Sequence, residues 1–323
     1  MRVTTKFKNA LGPYSVAMAK RPLVIIIRDG WGYRKSRDHN AIAEAGAPRT
    51  DELMDSYPTC MLHASGEAVG VPKGFMGNSE IGHMTIGSGR IIPQSLLRID
   101  QAIEDGSFYE NKEFLDVIGH CREKGASLHL VGLLQKEGVH SHMRHLFALL
   151  DLCKQQGFHD VKIHVITDGR DAPVRLSRTY IKQLLDKLES LGFGEVVSVS
   201  GRYYAMDRDK RWDRTRKAYD AIVRGEGAES FSDVLAQVRS CHESEETDEF
   251  IKPRVKRGYE GVKPDDGMIF FNFRTDRPRQ FTKAMVEDDF DGFERDKVPV
   301  RYVAMTKYYN PMDARIAFGD VEV

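Results

Sequence analysis

Net charge is the first thing this sequence lacks. Its 48 lysines and arginines are matched by 48 aspartates and glutamates, so no global basic field for nucleic acid is expected. Long apolar runs are missing too. The longest are only a few residues, against the ~20 that a membrane-spanning helix needs. Cysteine is scarce: Cys60, Cys121, Cys153 and Cys241 stand far apart with no C-x-x-C pair. That argues against zinc or redox motifs and fits buried thiols in a reducing cytosol, with Cys121 and Cys153 on the apolar faces of expected helices. Acids are absent from the first twenty-two residues, which carry Arg2, Lys6, Lys8, Lys20 and Arg21. Ala17-Met18-Ala19 resembles a signal-peptidase site, but Asn9, Gly12, Pro13 and Tyr14 interrupt the apolar stretch a signal peptide needs. A disordered extension over residues 1–20, or a start at Met18, is expected; an organelle-targeting leader is the alternative. The remaining length is enough for roughly two domains.

What is present centres on Gly77-Asn78-Ser79-Glu80-Ile81-Gly82-His83-Met84-Thr85-Ile86-Gly87-Ser88-Gly89-Arg90. Its glycines let backbone N–H groups approach a bound group. Ser79 stands where a helix should begin, so its hydroxyl meets unpaired N–H donors and the positive end of the helix dipole. Such a hydroxyl is well placed to receive a phosphoryl group. A tight turn with a cap would give the same local pattern.

Before this stretch, Leu23-Val24-Ile25-Ile26-Ile27 is a short β-branched run and predicts a buried strand ending in Arg28-Asp29-Gly30-Trp31-Gly32. Asp29 would then project from a strand's carboxyl end, where α/β sheets hold ligands; a plain Asp-Gly turn is the alternative. A short helix is expected over 50–57, stopped by Pro58, and a second short strand over 60–64. From Pro93 onward helices are expected over 95–104 and 111–124. A regular β/α alternation follows, with strands over 127–133, 161–166, 195–200, 268–273 and 301–305. Helices are expected over 143–156, 176–191, 212–224 and 279–285. Ser240 to Asp248 is acidic and poor in apolar residues, which predicts an exposed connection. Repeated βαβ units imply a parallel sheet with helices on both faces.

The loops after these strands share one chemistry. They read His140-Ser141-His142, Asp168-Gly169-Arg170-Asp171, Gly201-Arg202 through Arg208-Asp209, and Arg274-Thr275-Asp276-Arg277. In a parallel sheet they emerge at one end and can converge on one crevice. Guanidinium forks grip phosphate and carboxylate bidentately, so a small, highly anionic ligand is expected. Any single arginine could instead be a solvated charge or the partner of a nearby aspartate. The histidines of His140 to His145 also suggest zinc, but no nearby cysteine or suitably spaced carboxylate completes such a site, and anion binding is preferred.

With these residues assembled, the chain closely resembles the cofactor-independent (2,3-bisphosphoglycerate-independent) phosphoglycerate mutases of the alkaline-phosphatase-like superfamily. The segments that carry the resemblance lie between Pro22 and Met305. They are Asp29-Gly30-Trp31-Gly32, Gly77 to Arg90, Gly138-Val139-His140-Ser141-His142, Asp168-Gly169-Arg170-Asp171, Gly201 to Arg214, and Phe271-Asn272-Phe273-Arg274 with Asp276-Arg277. The resemblance implies interconversion of 3-phosphoglycerate and 2-phosphoglycerate, a glycolytic and gluconeogenic isomerase reaction, through a phosphoserine at Ser79. It implies two divalent cations, most commonly manganese, with Asp29 and Ser79 matching ligands of one of them. It implies substrate contacts at His140, Arg170, Asp171, Arg202, Arg208, Arg274 and Arg277, a cytoplasmic setting, and a monomer when complete.

The fold it implies is an incomplete phosphatase-like metal domain over 21–93 and an inserted parallel-sheet α/β transferase domain over 94–323. Members of the family continue past the point where this sequence stops, and no histidine follows His242. The remaining metal ligands belong to that further part, so the chain resembles an N-terminal portion and is expected to have little or no mutase activity alone. Gln135-Lys136-Glu137 stands before Gly138 where the family usually has serine, aspartate and glycine, and Arg28 stands before Asp29 where an apolar residue is usual. The competing readings are a metal-dependent phosphatase or sugar-phosphate mutase on the same fold, and a non-catalytic module that keeps the anion crevice.

Overall fold

The computed structural model describes residues 22–320. The leader or extension expected over residues 1–20 lies outside them. The chain divides into two compact units between Leu62 and His63.

In the first unit, helix α1 (Ala41–Ala45) is capped by Asn40, whose side chain accepts from the Ala43 N–H. Helix α2 (Pro48–Ser56) starts on a proline at its first turn, where a missing N–H costs nothing, and ends before Pro58 as expected. The strand expected over Leu23–Ile27 does not form. Those residues have no regular structure and are 44% to 85% exposed. A β-branched run becomes a strand only where a neighbour takes up its backbone N–H and C=O groups, and none of the described residues does so here. None of residues 22–62 is buried. The strand expected over 60–64 is likewise absent; a single antiparallel bridge, Ser65 to Met76, lies just beyond it.

The second unit is built on an eight-stranded sheet in the order β4-β5-β3-β2-β1-β6-β7-β8. The strands are β1 (Leu128–Leu133), β2 (Val161–Thr167), β3 (Glu195–Gly201), β4 (Ser230–Phe231), β5 (Arg254–Lys256), β6 (Gly267–Phe270), β7 (Arg301–Thr306) and β8 (Arg315–Phe318). All pairings are parallel except β3 with β5. The central strands are short apolar runs because both faces are covered. Leu128 and Leu130 of β1 join one core cluster, while Val131 and Leu133 join the other.

Helices α3 (Ser79–Ser88), α4 (Ser95–Asp105), α5 (Lys112–Lys124), α6 (Met143–Gln155), α7 (Ser177–Leu191), α8 (Arg202–Ala205), α9 (Trp212–Tyr219), α10 (Val234–Glu243) and α11 (Arg279–Val286) complete the unit. Helix α9 runs on into a π turn, Asp220–Arg224. The exposed connection expected over 240–248 is partly wrong. Helix α10 runs through its first half, and Cys241, His242 and Asp248 are buried. The reason is pairing: His242 Nε2 meets Asp248 Oδ1 at 2.6 Å. Asp248 also receives the Ser177 N–H at 2.8 Å, at the start of α7. Polar side chains that satisfy one another can face inward.

Cys121, Cys153 and Cys241 are buried and free, and Cys60 is exposed and free. Burial pushes the Cys121 and Cys153 thiols up to about 12, far from the reactive range. Among the described residues no helix is long and apolar enough to cross a membrane.

Candidate anion-binding site

The carboxyl ends of β1, β2, β3 and β6 deliver the loops singled out above to one place. Each loop is held by its own sequence chemistry. After β2, Asp168 Oδ1 accepts the N–H groups of Arg170 and Asp171, both at 3.1 Å, a local aspartate turn. Gly169 is required inside it: φ is +72°, and a Cβ there would meet the Glu249 backbone nitrogen at 2.6 Å. After β1, the His140 carbonyl accepts the N–H groups of Phe273 (2.8 Å) and Arg274 (3.2 Å), which ties the first loop to the fourth.

Arg202, 2% exposed, is the hub. Its Nη1 donates to Asp168 Oδ1 (2.6 Å) and Asp171 Oδ2 (2.5 Å), and its Nη2 to His140 Nε2 (3.0 Å). Burial alone would lower its pKa, but the two carboxylates hold it above the ordinary arginine range. Since arginine only donates, His140 must accept at Nε2 and carry its proton on Nδ1. Burial, then the Arg202 charge, lowers the His140 pKa to about 4, so the ring is neutral near pH 7. Among the described residues seven buried side-chain atoms have no hydrogen-bond partner, and two of them, His140 Nδ1 and Arg202 Nε, meet in this crevice. Orphaned buried donors are uncommon in finished structures and point to a group that arrives later.

The other arginines ring this hub. Arg208 Nη1 donates to Asp276 Oδ2 (2.7 Å) and Arg274 Nε to Asp276 Oδ1 (3.2 Å). Arg170 lies 3.5 Å from Glu249. Arg277 donates to the Met206 carbonyl at 2.9 Å and forms no ion pair with any described residue. Burial lowers its pKa, and the charges of Arg202, Arg208 and Arg170 lower it further. The nearby carboxylates Asp168, Asp171, Asp276 and Glu249 pair with the other arginines, and Asp276 offsets only part of the repulsion on Arg277.

Of the histidines that suggested zinc, each has one ring nitrogen engaged by a neighbour, His140 by Arg202. His142 Nδ1 accepts the Arg144 N–H at 3.1 Å and caps α6, while His145 Nε2 meets Asp100 at 3.0 Å. Several contributors were not singled out by sequence reasoning. Asp168 and Asp276 lay inside the quoted motifs, and their alternation with arginine was the available signal. Gln135 appeared only as a departure from the family pattern. It is fully buried, and with its amide turned to suit its neighbours the nitrogen donates to Asp168 Oδ2 (2.8 Å) and the oxygen accepts the His140 N–H (3.0 Å). Glu249, from a distant segment, gave no local signal.

Ser79 opens α3 as expected, with Asn78 as the cap accepting the Ile81 N–H (3.0 Å) and Gly89 closing the helix in the left-handed region. The hydroxyl is exposed and lies 3.3 Å from His83 Nδ1. Asp29 does not follow a strand; it sits in a turn with Gly30 at φ +75°. Among the described residues no group of three or more His, Cys, Asp or Glu side chains could hold a metal ion. Asp29 and Ser79 do not by themselves constitute a dinuclear site.

Comparison with known proteins points to one family. A family model described as the BPG-independent PGAM N-terminus matches residues 99–310. The 2,3-bisphosphoglycerate-independent phosphoglycerate mutase 1 of Methanosarcina barkeri is 47% identical over 314 residues, covering 95% of this chain and 61% of that protein. The corresponding enzyme of a Picosynechococcus species is 46% identical over 302 residues, covering 92% of this chain and 57% of that protein. A Leishmania mexicana phosphoglycerate mutase, crystallised at low cobalt concentration, superposes with a TM-score of 0.71 at 29% identity. That match covers 81% of this chain and 51% of the other. The chain thus spans only about 60% of the length of its curated relatives.

Proposed function

This chain belongs to the family of BPG-independent phosphoglycerate mutase N-terminal regions, and we propose from that premise that it supplies the acceptor serine and the anion crevice of an enzyme interconverting 3-phosphoglycerate and 2-phosphoglycerate. Ser79 is the residue that receives the phosphoryl group: its Oγ–P bond forms as the bond from phosphorus to the glycerate oxygen breaks. The proton leaves the serine, and the departing glycerate oxygen gains one. Return of the group to the neighbouring oxygen completes the exchange. His140, Arg170, Asp171, Arg202, Arg208, Arg274 and Arg277 hold the glycerate between the two transfers. Release of the free acid there would turn a mutase into a phosphatase. Residues 21–93 carry the serine and residues 94–323 the crevice.

The observation that carries this reading is Arg277, hemmed in by three other guanidiniums and without an ion pair of its own among the described residues. Such a cluster is stabilised by a bound anion of more than one charge. A neutral His140 adds an N–H donor without adding a further positive charge.

Phosphate esters are among the slowest biological substrates to cleave unaided, and the resemblance implies two divalent cations, most commonly manganese, to assist; the Leishmania mexicana enzyme was crystallised with cobalt. The described residues supply too few donors for such a site, so they fit the substrate-holding task and not the whole reaction. The 323-residue chain alone is therefore expected to bind phosphoglycerate and turn it over little, and ordinary turnover with manganese in a steady-state assay would contradict this. Calorimetry with 2- and 3-phosphoglycerate against ribose 5-phosphate and p-nitrophenyl phosphate tests the substrate class. Preference for the phosphoglycerates is expected, and equal binding of all four would favour a general phosphatase.

A further inference from the structure

Asp276 stands apart from the other carboxylates of the crevice. Asp168 and Asp171 hold Arg202, whose side chain is 2% exposed, and a buried cation needs such partners. Asp276 instead pairs with Arg208 and Arg274, whose side chains are 48% and 52% exposed. Half-exposed guanidiniums are hydrated and gain at most ~1 kcal/mol of stability from an ion pair. Its charge offsets part of the repulsion among the arginines of the crevice, a task that a bound anion would perform as well.

Its placement is that of a ligand. One oxygen takes Arg208 Nη1 at 2.7 Å, and the other takes Arg274 Nε at 3.2 Å. The second oxygen also lies 3.7 Å from the unpartnered His140 Nδ1, too far for a hydrogen bond and near enough for a charge interaction. The acid therefore uses one nitrogen of each fork and leaves the orphaned donor unsatisfied.

We propose that Asp276 is a resident counter-anion, occupying the Arg208 and Arg274 forks until a phosphate-bearing ligand displaces it. The inference rests on the crevice being an anion site, as argued above, and adds a threshold to it. A ligand must bring more charge, or better-placed oxygens, than a side-chain carboxylate to take over the same donors. Phosphate dianions meet that condition, and simple monocarboxylates do not. Displacement also brings ligand oxygens to His140 Nδ1, which Asp276 fails to reach.

The alternative role, in which Asp276 orients the two arginines for the ligand, has the opposite sign in a binding experiment. The test is calorimetric titration of the 323-residue chain, wild type and Asp276→Asn, with 3-phosphoglycerate and with inorganic phosphate at low ionic strength. Removing a displaced anion is expected to strengthen binding of both ligands at least fivefold. Asp276→Ala, which also removes the hydrogen-bonding oxygens, is expected to strengthen it in the same direction. Unchanged or weaker binding in both variants, with melting temperatures that show them folded, overturns the inference while leaving the anion site in place. No binding of 3-phosphoglycerate by the wild-type chain overturns the reading of the site itself.

Discussion

The two ends of the central sheet each bury a cluster of histidine and aspartate, and the clusters are finished to different degrees. Toward the amino end, Ser198 and His164 from the middle of β3 and β2, His129 near the start of β1 and Asp266 before β6 form a chain across neighbouring strands. Ser198 Oγ lies 2.8 Å from His164 Nδ1, His164 Nε2 lies 2.9 Å from His129 Nδ1, and His129 Nε2 lies 3.1 Å from Asp266 Oδ2. Asp266 also accepts the Ser127 and Lys263 N–H groups. Burial would raise its pKa, but these bonds, led by that from His129, hold it below the ordinary carboxylate range. Each bonding atom in the string has a partner, so the string pins strands together. At the carboxyl end, Arg202 and His140 each keep one buried nitrogen without a partner. Single unpartnered atoms occur elsewhere among the described residues, as at His145 and Arg295, but only the carboxyl end sets two of them beside a cluster of arginines, which is what suits it to an anion.

Four changes would break or sharpen that contrast. The largest effect is expected for Arg202→Met, which leaves Asp168 and Asp171 without their cation. It should cost ~3–5 kcal/mol in denaturant titrations and abolish phosphoglycerate binding. Arg277→Met comes next and separates binding from stability. Loss of charge-assisted hydrogen bonds worth ~1.5–3 kcal/mol should weaken phosphoglycerate binding tenfold or more. Relief of repulsion among the guanidiniums should leave the melting temperature equal or higher.

Toward the opposite end, Ser198→Ala removes the hydrogen-bond partner of the buried His164 Nδ1. A stability loss of ~1–3 kcal/mol is expected, with anion affinity unchanged. The most gradual effect is that of acid. His140 and His142 are held neutral to about 4, by burial first and then by neighbouring cations or His145, whereas an unfolded histidine titrates near ~6.5. Between those values the unfolded chain binds more protons, so stability should fall as pH drops from about 6.5 to 4. Melting curves across that range measure it, and Arg202→Met should flatten the slope by removing a charge that depresses His140.

The same contrast explains what was legible in the sequence. The central parallel strands announce themselves as short apolar runs followed by loops of one cationic chemistry, from which the seven residues proposed for the crevice come. Helix α10 was missed in part because His242, Glu243 and Glu246 look solvent-facing by composition. Whether a polar residue turns inward depends on a partner, Asp248 in this case, which composition does not reveal. The run Leu23–Ile27 fails in the opposite sense. Its residues suit a buried strand, yet a strand is a property of two segments, and no described residue pairs with it. Asp276 was visible as an acid between arginines, but its role depends on the exposure of Arg208 and Arg274.

The most direct test follows side-chain nitrogens. In 15N NMR spectra of the 323-residue chain, 3-phosphoglycerate should shift the Arg202 Nε–H and His140 Nδ1–H resonances while those of His129 and His164 stay in place. Shifts confined to His129 and His164, or none at either end at saturating ligand, would contradict the assignment of the anion site to the carboxyl end of the sheet.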